Sequence, residues 1–155
     1  MAEKIQRYLS MTATQPGVDT FVEAQVSTEI LPENGLSYRV TFIELLFTNP
    51  MNVLSADCRI RWSITRDTKT GFAALSDPDS ILSDEIDVSL TTSGQLLIPQ
   101  RYAYPALPGI YIVEPTIYLQ LFSASSGTTN VMDARIYYEE VKLSELDILR
   151  ILNNR

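Results

Sequence analysis

A reactive site needs side chains that titrate, attack or ligate, and this sequence holds few of them. Its 155 residues include no histidine and one cysteine, Cys58. Without imidazole the chain lacks the commonest general base, the commonest transition-metal ligand and any Ser-His-Asp arrangement. A single cysteine forms no internal disulfide, and one cysteine without histidine does not make a structural zinc site. Arg59 and Arg61 would lower the Cys58 thiol pKa only if they pointed the same way. Strand alternation places Cys58, Ile60, Trp62 and Ile64 on one face and the arginines on the other, so Cys58 is expected as a small core residue.

Carboxylates are the remaining candidates. Asp77, Asp79, Asp84, Glu85 and Asp87 fall within one short segment, and several hard oxygens together suit calcium. The spacing does not match a D-x-[DN]-x-[DN]-G loop and Pro78 interrupts it, so a solvated loop is the plainer reading. Glu139 and Glu140 are adjacent on a strand-like segment and point to opposite faces, which prevents them from flanking one glycosidic bond. The six glycines are dispersed, so no phosphate-binding loop is present. Arg59, Arg61, Arg66 and Lys69 form a local basic group, read as a solvated strand face. No catalytic residue, metal site or cofactor is expected.

The elements that would position any site are mostly strands. Turn signals recur at Pro16-Gly17, Pro32-Glu33-Asn34-Gly35, Thr48-Asn49-Pro50, Asp77-Pro78-Asp79, Ser93-Gly94 and in the polar segment 123–129. Segments rich in Val, Ile, Thr, Tyr and Phe lie between them. Strands are expected over 18–29, 37–47, 56–66, 84–90, 95–98, 110–122 and 131–142, with a helical turn at 79–83. Residues 1–15 add an edge strand or stay a mobile arm, ordered by docking on a neighbour. Deleting residues 1–12 would then leave the β domain folded and weaken assembly. Residues 144–155 read as a short helix: Ser144 caps, Asp147 sits three residues on, and Leu146, Ile148, Leu149 and Ile151 supply an apolar stripe. The expected fold is all-β, an antiparallel jelly roll or β-sandwich of seven to eight strands with a short C-terminal helix. It divides into an arm (1–15), a sandwich (16–143) and a terminal helix and tail (144–155).

Composition fits one globular domain, with 45% hydrophobic and 20% charged residues. A net charge of −7 repels phosphate backbones and makes no strong case for direct nucleic-acid binding. No apolar run reaches the roughly 18 residues of a membrane helix, and residues 1–10 lack the apolar stretch of a signal peptide.

The sequence instead has a surplus of aromatic and apolar surface. In 38–47, Val40 and Phe42 are read on one face and Ile43, Leu45 and Phe47 on the other. A sandwich covers one face of each sheet with its own core, so a second apolar face needs another cover. The extended, loop-like run Arg101-Tyr102-Ala103-Tyr104-Pro105-Ala106-Leu107-Pro108 is rich in tyrosine, which is enriched at interfaces. Candidate subunit-interface residues are Tyr38, Phe47, Tyr102, Tyr104, Tyr111, Tyr118, Phe122, Leu146 and Leu149.

Four segments, spread from Thr20 to the end, together resemble the single jelly-roll capsid protein of a small tailless virus. They are Thr20-Phe-Val-Glu-Ala-Gln-Val-Ser-Thr28, the two-sided strand 38–47, Leu107-Pro-Gly-Ile-Tyr-Ile-Val-Glu-Pro-Thr-Ile-Tyr-Leu-Gln-Leu121, and Arg135-Ile-Tyr-Tyr-Glu-Glu-Val-Lys-Leu-Ser144 before the helix. The resemblance implies a shell subunit that pairs with copies of itself and with other virion proteins, located in virions assembled in the host cytoplasm. A basic N-terminal arm, frequent in genome-packaging capsid proteins, is missing: Lys4 and Arg7 stand against Glu3. That departure fits a shell lined by membrane or by another protein. The alternative is a carbohydrate-binding or lectin-like sandwich that stacks sugar on Trp62, Tyr102 or Tyr104. An enzyme of unrecognised type ranks last.

Overall fold

The computed structural model describes residues 7–31, 34–47, 58–73, 76–88, 101–105, 109–124, 127 and 129–153. These form β1 (Arg7–Thr14), β2 (Phe21–Ser27), β3 (Leu36–Phe47), β4 (Cys58–Thr65), β5 (Ser80–Val88), β6 (Arg101–Pro105), β7 (Tyr111–Ile112), β8 (Thr116–Ala124), β9 (Val131–Lys142) and α1 (Glu145–Asn153).

The strands make two antiparallel sheets, ordered β1-β9-β3-β6 and β2-β8-β4-β5, with the two-residue β7 paired to β3. Strands adjacent in the chain stand at the same rank in opposite sheets: β1 and β2, β9 and β8, β3 and β4, β6 and β5. That wrapping of eight strands into two Greek keys is a jelly roll. Alternation fills the space between the sheets. Ile60, Trp62, Ile64, Ile117, Leu119 and Leu121 from one sheet meet Ile43, Leu45, Met132, Ala134 and Ile136 from the other, each at most 2% exposed.

Residues 7–14 take the edge-strand form of the two considered for the N-terminal arm. β1 pairs along its whole length with β9, and Met11 and Ala13 are in the core. Three expectations are corrected. The helical turn at 79–83 is instead the start of β5. Residues 77–79 form the turn, with the Ser80 N–H on the Asp77 carbonyl (3.0 Å), and from Ser80 the backbone bonds to β4. The single strand 110–122 is two strands in different sheets. Pro115 donates no ladder hydrogen bond, and the chain crosses between sheets at residues 113–115, where the Thr28 N–H is bonded to the Pro115 carbonyl (2.9 Å). The tyrosine-rich run is no loop through Pro105: it is β6, paired with β3. The strand expected at 95–98, and residues 89–90 of the fourth, lie outside the described residues.

The apolar character of both faces of 38–47 also has a different origin from the one inferred. Val40 faces inward and Phe42 outward, because the register against β9 shifts between them. This β-bulge at Thr41 moves the inward parity from Tyr38 and Val40 to Ile43, Leu45 and Phe47. Two successive inward sets thus share one core, leaving only Phe42 and Leu46 as apolar outward residues beyond the bulge.

At the far end of β9, Gly35 adopts φ 63°. A Cβ there would stand 3.0 Å from the Leu143 carbonyl oxygen, and the Leu143 N–H bonds to the Gly35 carbonyl (2.9 Å). Glycine is needed at that position on both counts. The close approach fixes where α1 leaves the sandwich. Ser144 caps α1 as expected, accepting from the Asp147 N–H at 3.2 Å and donating to its carboxylate at 2.6 Å.

Candidate interaction surfaces

The charged residues singled out for chemistry are paired with one another. The register of β4 against β5 sets Arg59 opposite Asp87 and Arg61 opposite Glu85, and each pair forms an ion pair. Lys69 bridges Asp79 (2.8 Å) and Asp77 (3.2 Å), and its pKa is raised chiefly by the hydrogen bond to Asp79. Asp84 accepts from the Tyr104 hydroxyl at 2.7 Å. Arg59, Arg61 and Lys69 thus neutralise most of the acidic segment, while Arg66 meets Glu114. Among the described residues, no three of His, Cys, Asp and Glu are grouped to hold a metal ion. Glu139 and Glu140 are engaged by different arginines, Arg39 and Arg7.

The aromatic candidates separate into three groups. Tyr38 and Phe47 belong to the chain's own core, 4% and 6% exposed, and this corrects their assignment as interface residues. Tyr38 stacks on Tyr138 with centroids 3.9 Å apart and bonds to the Thr28 carbonyl. Burial, then the bond with Tyr138, pushes its phenol up to about 12. Tyr102 and Tyr104 on β6 point between the sheets, because the register pairs them with the inward Leu45 and Ile43. Phe47, Trp62 and Tyr102 pack ring against ring, and the Trp62 indole N–H donates to the Tyr104 hydroxyl at 3.2 Å. Burial pushes the Tyr102 phenol up to about 12, and burial with the Asp84 bond raises Tyr104 as well. Trp62 is fully buried, as its strand face implied. Tyr111, Tyr118 and Phe122 are half-buried. Leu146 and Leu149 are 58% and 48% exposed.

Two surface features escaped the sequence reading. Leu152, 36% exposed, extends the Leu146 and Leu149 stripe along α1, while Ile148 is the buried residue of the helix. The spacing 146, 149, 152 was available as a signal, but which side of the stripe the sandwich would cover was not. The second feature is a shallow groove of about 300 Å³ across the outer face of β1, β9 and β3. Tyr8, Ser10, Thr12, Glu44, Leu46 and Arg135 line it. Tyr8 is 52% exposed, with the Arg135 guanidinium 5.7 Å from its ring centre and Tyr137 beside it at 5.6 Å. Glu44 is paired with Arg101 and accepts from the Tyr137 hydroxyl at 3.3 Å. Tyr8 was legible only if residues 7–14 were placed as a strand. These surfaces offer stacking, apolar contact and hydrogen bonding.

Fold and surface together define a jelly-roll domain with an apolar helical stripe and a mixed polar and aromatic groove. No family model matches the chain, and no curated protein matches it. Among solved structures it is similar to mud crab dicistrovirus, at 13% identity over 89% of this chain and 70% of that one, TM-score 0.35. It is also similar to naturally occurring empty particles of cowpea mosaic virus, at 7% identity over 93% and 89%, TM-score 0.36. A CBM4 structure is similar at 8% identity over 85% and 71%, TM-score 0.32. Likenesses this distant carry no argument about what the chain does, and the jelly roll stands on its own strand order.

Proposed function

We propose that this protein is a structural subunit that associates with copies of itself into a virion shell and performs no catalysis. The observation that supports it most is the leucine stripe of α1. The sandwich completes its own core, yet Leu146, Leu149 and Leu152 remain exposed on an ordered, capped helix. A helix of nine residues is marginal alone and gains from docking its apolar side. The jelly roll and the pattern of strands resembling capsid proteins agree with this reading. Leu146 and Leu149, with the half-buried Tyr111, Tyr118 and Phe122, are the interface residues it retains. Other virion proteins are further partners.

Native mass spectrometry and electron microscopy of purified protein test the proposal. Particles or closed oligomers are expected, and Leu146→Glu with Leu149→Glu should leave the domain folded while abolishing them. A wild-type chain that stays monomeric at high concentration would overturn the reading.

The groove supports a second reading, a saccharide-binding surface, since the exposed Tyr8 ring stands beside hydrogen-bonding Ser10, Thr12 and Glu44. Trp62, the residue the sequence offered first for sugar stacking, is fully buried and leaves this role, and Tyr102 and Tyr104 are half-buried beside it. A glycan array with no hits removes this alternative.

A further inference from the structure

Three polar residues on the outer face of the second sheet are completely buried. Ser63, Thr65 and Gln120 alternate with the core residues Ile64 and Leu119, so they face away from the sandwich, yet each is 0% exposed. Residues 66–73, which follow β4, fold back over them. The Ala73 N–H donates to the Gln120 side-chain carbonyl at 3.1 Å, which also accepts from the Ser63 hydroxyl at 2.8 Å. The Gln120 amide donates to Glu23 at 2.9 Å. Thr65 donates to the Asp67 carbonyl at 2.9 Å.

This strap is fastened mainly by carboxylates from other segments. Glu23 on β2 accepts from the Thr68 hydroxyl (2.5 Å) and the Lys69 N–H (3.0 Å). Asp77 and Asp79 hold the Lys69 ammonium. Glu114, between β7 and β8, stands 3.6 Å from the Arg66 guanidinium. The strap's apolar anchorage is small: Ala73 is buried, and Phe72 is half-buried with Arg61 of β4 over its ring at 5.8 Å, Arg61 itself being paired with Glu85 of β5. Asp67 is exposed, and Tyr118 on β8 pairs in register with Thr65.

We propose that residues 66–73 form an acid-released strap, which lifts from the sheet as its carboxylate fasteners protonate and uncovers Ser63, Thr65 and Gln120 while the sandwich stays folded. Between the sheets the Asp84 carboxylate meets the Tyr104 hydroxyl on the edge strands β5 and β6, while the rest of the core is apolar and outlasts a segment held by charge. The chain has no histidine, so no side chain with an unperturbed pKa between 5 and 8 loosens the strap near neutrality. Release instead requires the carboxylates to take up protons, which places it on the acid side of neutrality. This inference is independent of the shell reading and concerns the isolated domain.

Amide hydrogen exchange read by NMR at pH 7 and pH 4, corrected for intrinsic rates, tests it. Protection of the Lys69 and Ala73 amides should fall at least tenfold at pH 4, while amides in β8 and β9 keep theirs. Glu23→Gln should reproduce the loosening at pH 7. Asp77→Asn with Asp79→Asn, in the turn before β5, should do the same by releasing the Lys69 ammonium. Equal protection at both pH values, loss only together with β8 and β9, or unchanged protection in both variants would each overturn the proposal.

Discussion

Gln15 and Asn130 close one end of the sandwich. The Gln15 main-chain N–H donates to the Asn130 carbonyl at 3.0 Å, and the Gln15 side-chain oxygen accepts from the Asn130 N–H at 2.9 Å and its amide at 2.6 Å. The Gln15 amide donates in turn to the Ser123 hydroxyl at 3.0 Å and to the Thr20 carbonyl. One side chain thus joins the end of β1 to the chain before β2, the end of β8 and the start of β9. Gln15→Ala leaves Asn130 and Ser123 short of partners in a buried site, at a cost of about 1–3 kcal/mol. Urea denaturation should show the lower midpoint.

Deletion of residues 1–12 should destabilise the domain itself. It removes most of β1, including the buried Met11 and the partly buried Leu9, and strips β9 of one neighbour. This replaces the expectation drawn from a detachable arm. Circular dichroism under denaturant decides between them: an unchanged midpoint would restore the arm.

Trp62 is 0% exposed between the sheets, ringed by Phe47 and Tyr102. Trp62→Ala should cost about 3–5 kcal/mol. The milder Trp62→Phe keeps much of the packing and removes the indole donor to Tyr104. The wild-type emission maximum should be blue-shifted, and an emission typical of full water exposure would contradict the placement.

The tyrosines predict alkaline lability. Burial pushes the Tyr38 and Tyr102 phenols up from their ordinary value to about 12. A raised phenol pKa contributes stability that is complete below the unfolded value and lost as pH rises through the folded one. The thermal midpoint should therefore fall between pH 10 and 12. Absorbance at the tyrosinate band should show these phenols titrating late, with or after unfolding.

Chelation should leave the melting temperature unchanged, and added calcium should not raise it. Asp77, Asp79, Asp84, Glu85 and Asp87 each already meet a lysine, an arginine or a tyrosine hydroxyl. A midpoint that drops with chelator and returns with calcium would show one of these carboxylates to be a ligand.

The sequence determined what local periodicity encodes. Alternation of period 2 placed Cys58, Ile60, Trp62 and Ile64 inward and bounded β9 at residues 131–142, and the capping pattern of Ser144 and Asp147 marked the start of a helix. The tertiary structure decided what depends on partners far along the chain. β9 set the bulge at Thr41 that turns Phe42 outward, β3 drew 101–105 into a strand, and the change of sheet at Pro115 split one apparent strand in two. Arg59 and Arg61 met Asp87 and Glu85 only through the register of β4 against β5. Along an unbroken strand a side chain's parity follows from its immediate neighbours. Its register, its ion-pair partner and its cover are fixed by pairings across up to 133 residues, as between Arg7 and Glu140, and no local pattern specifies those.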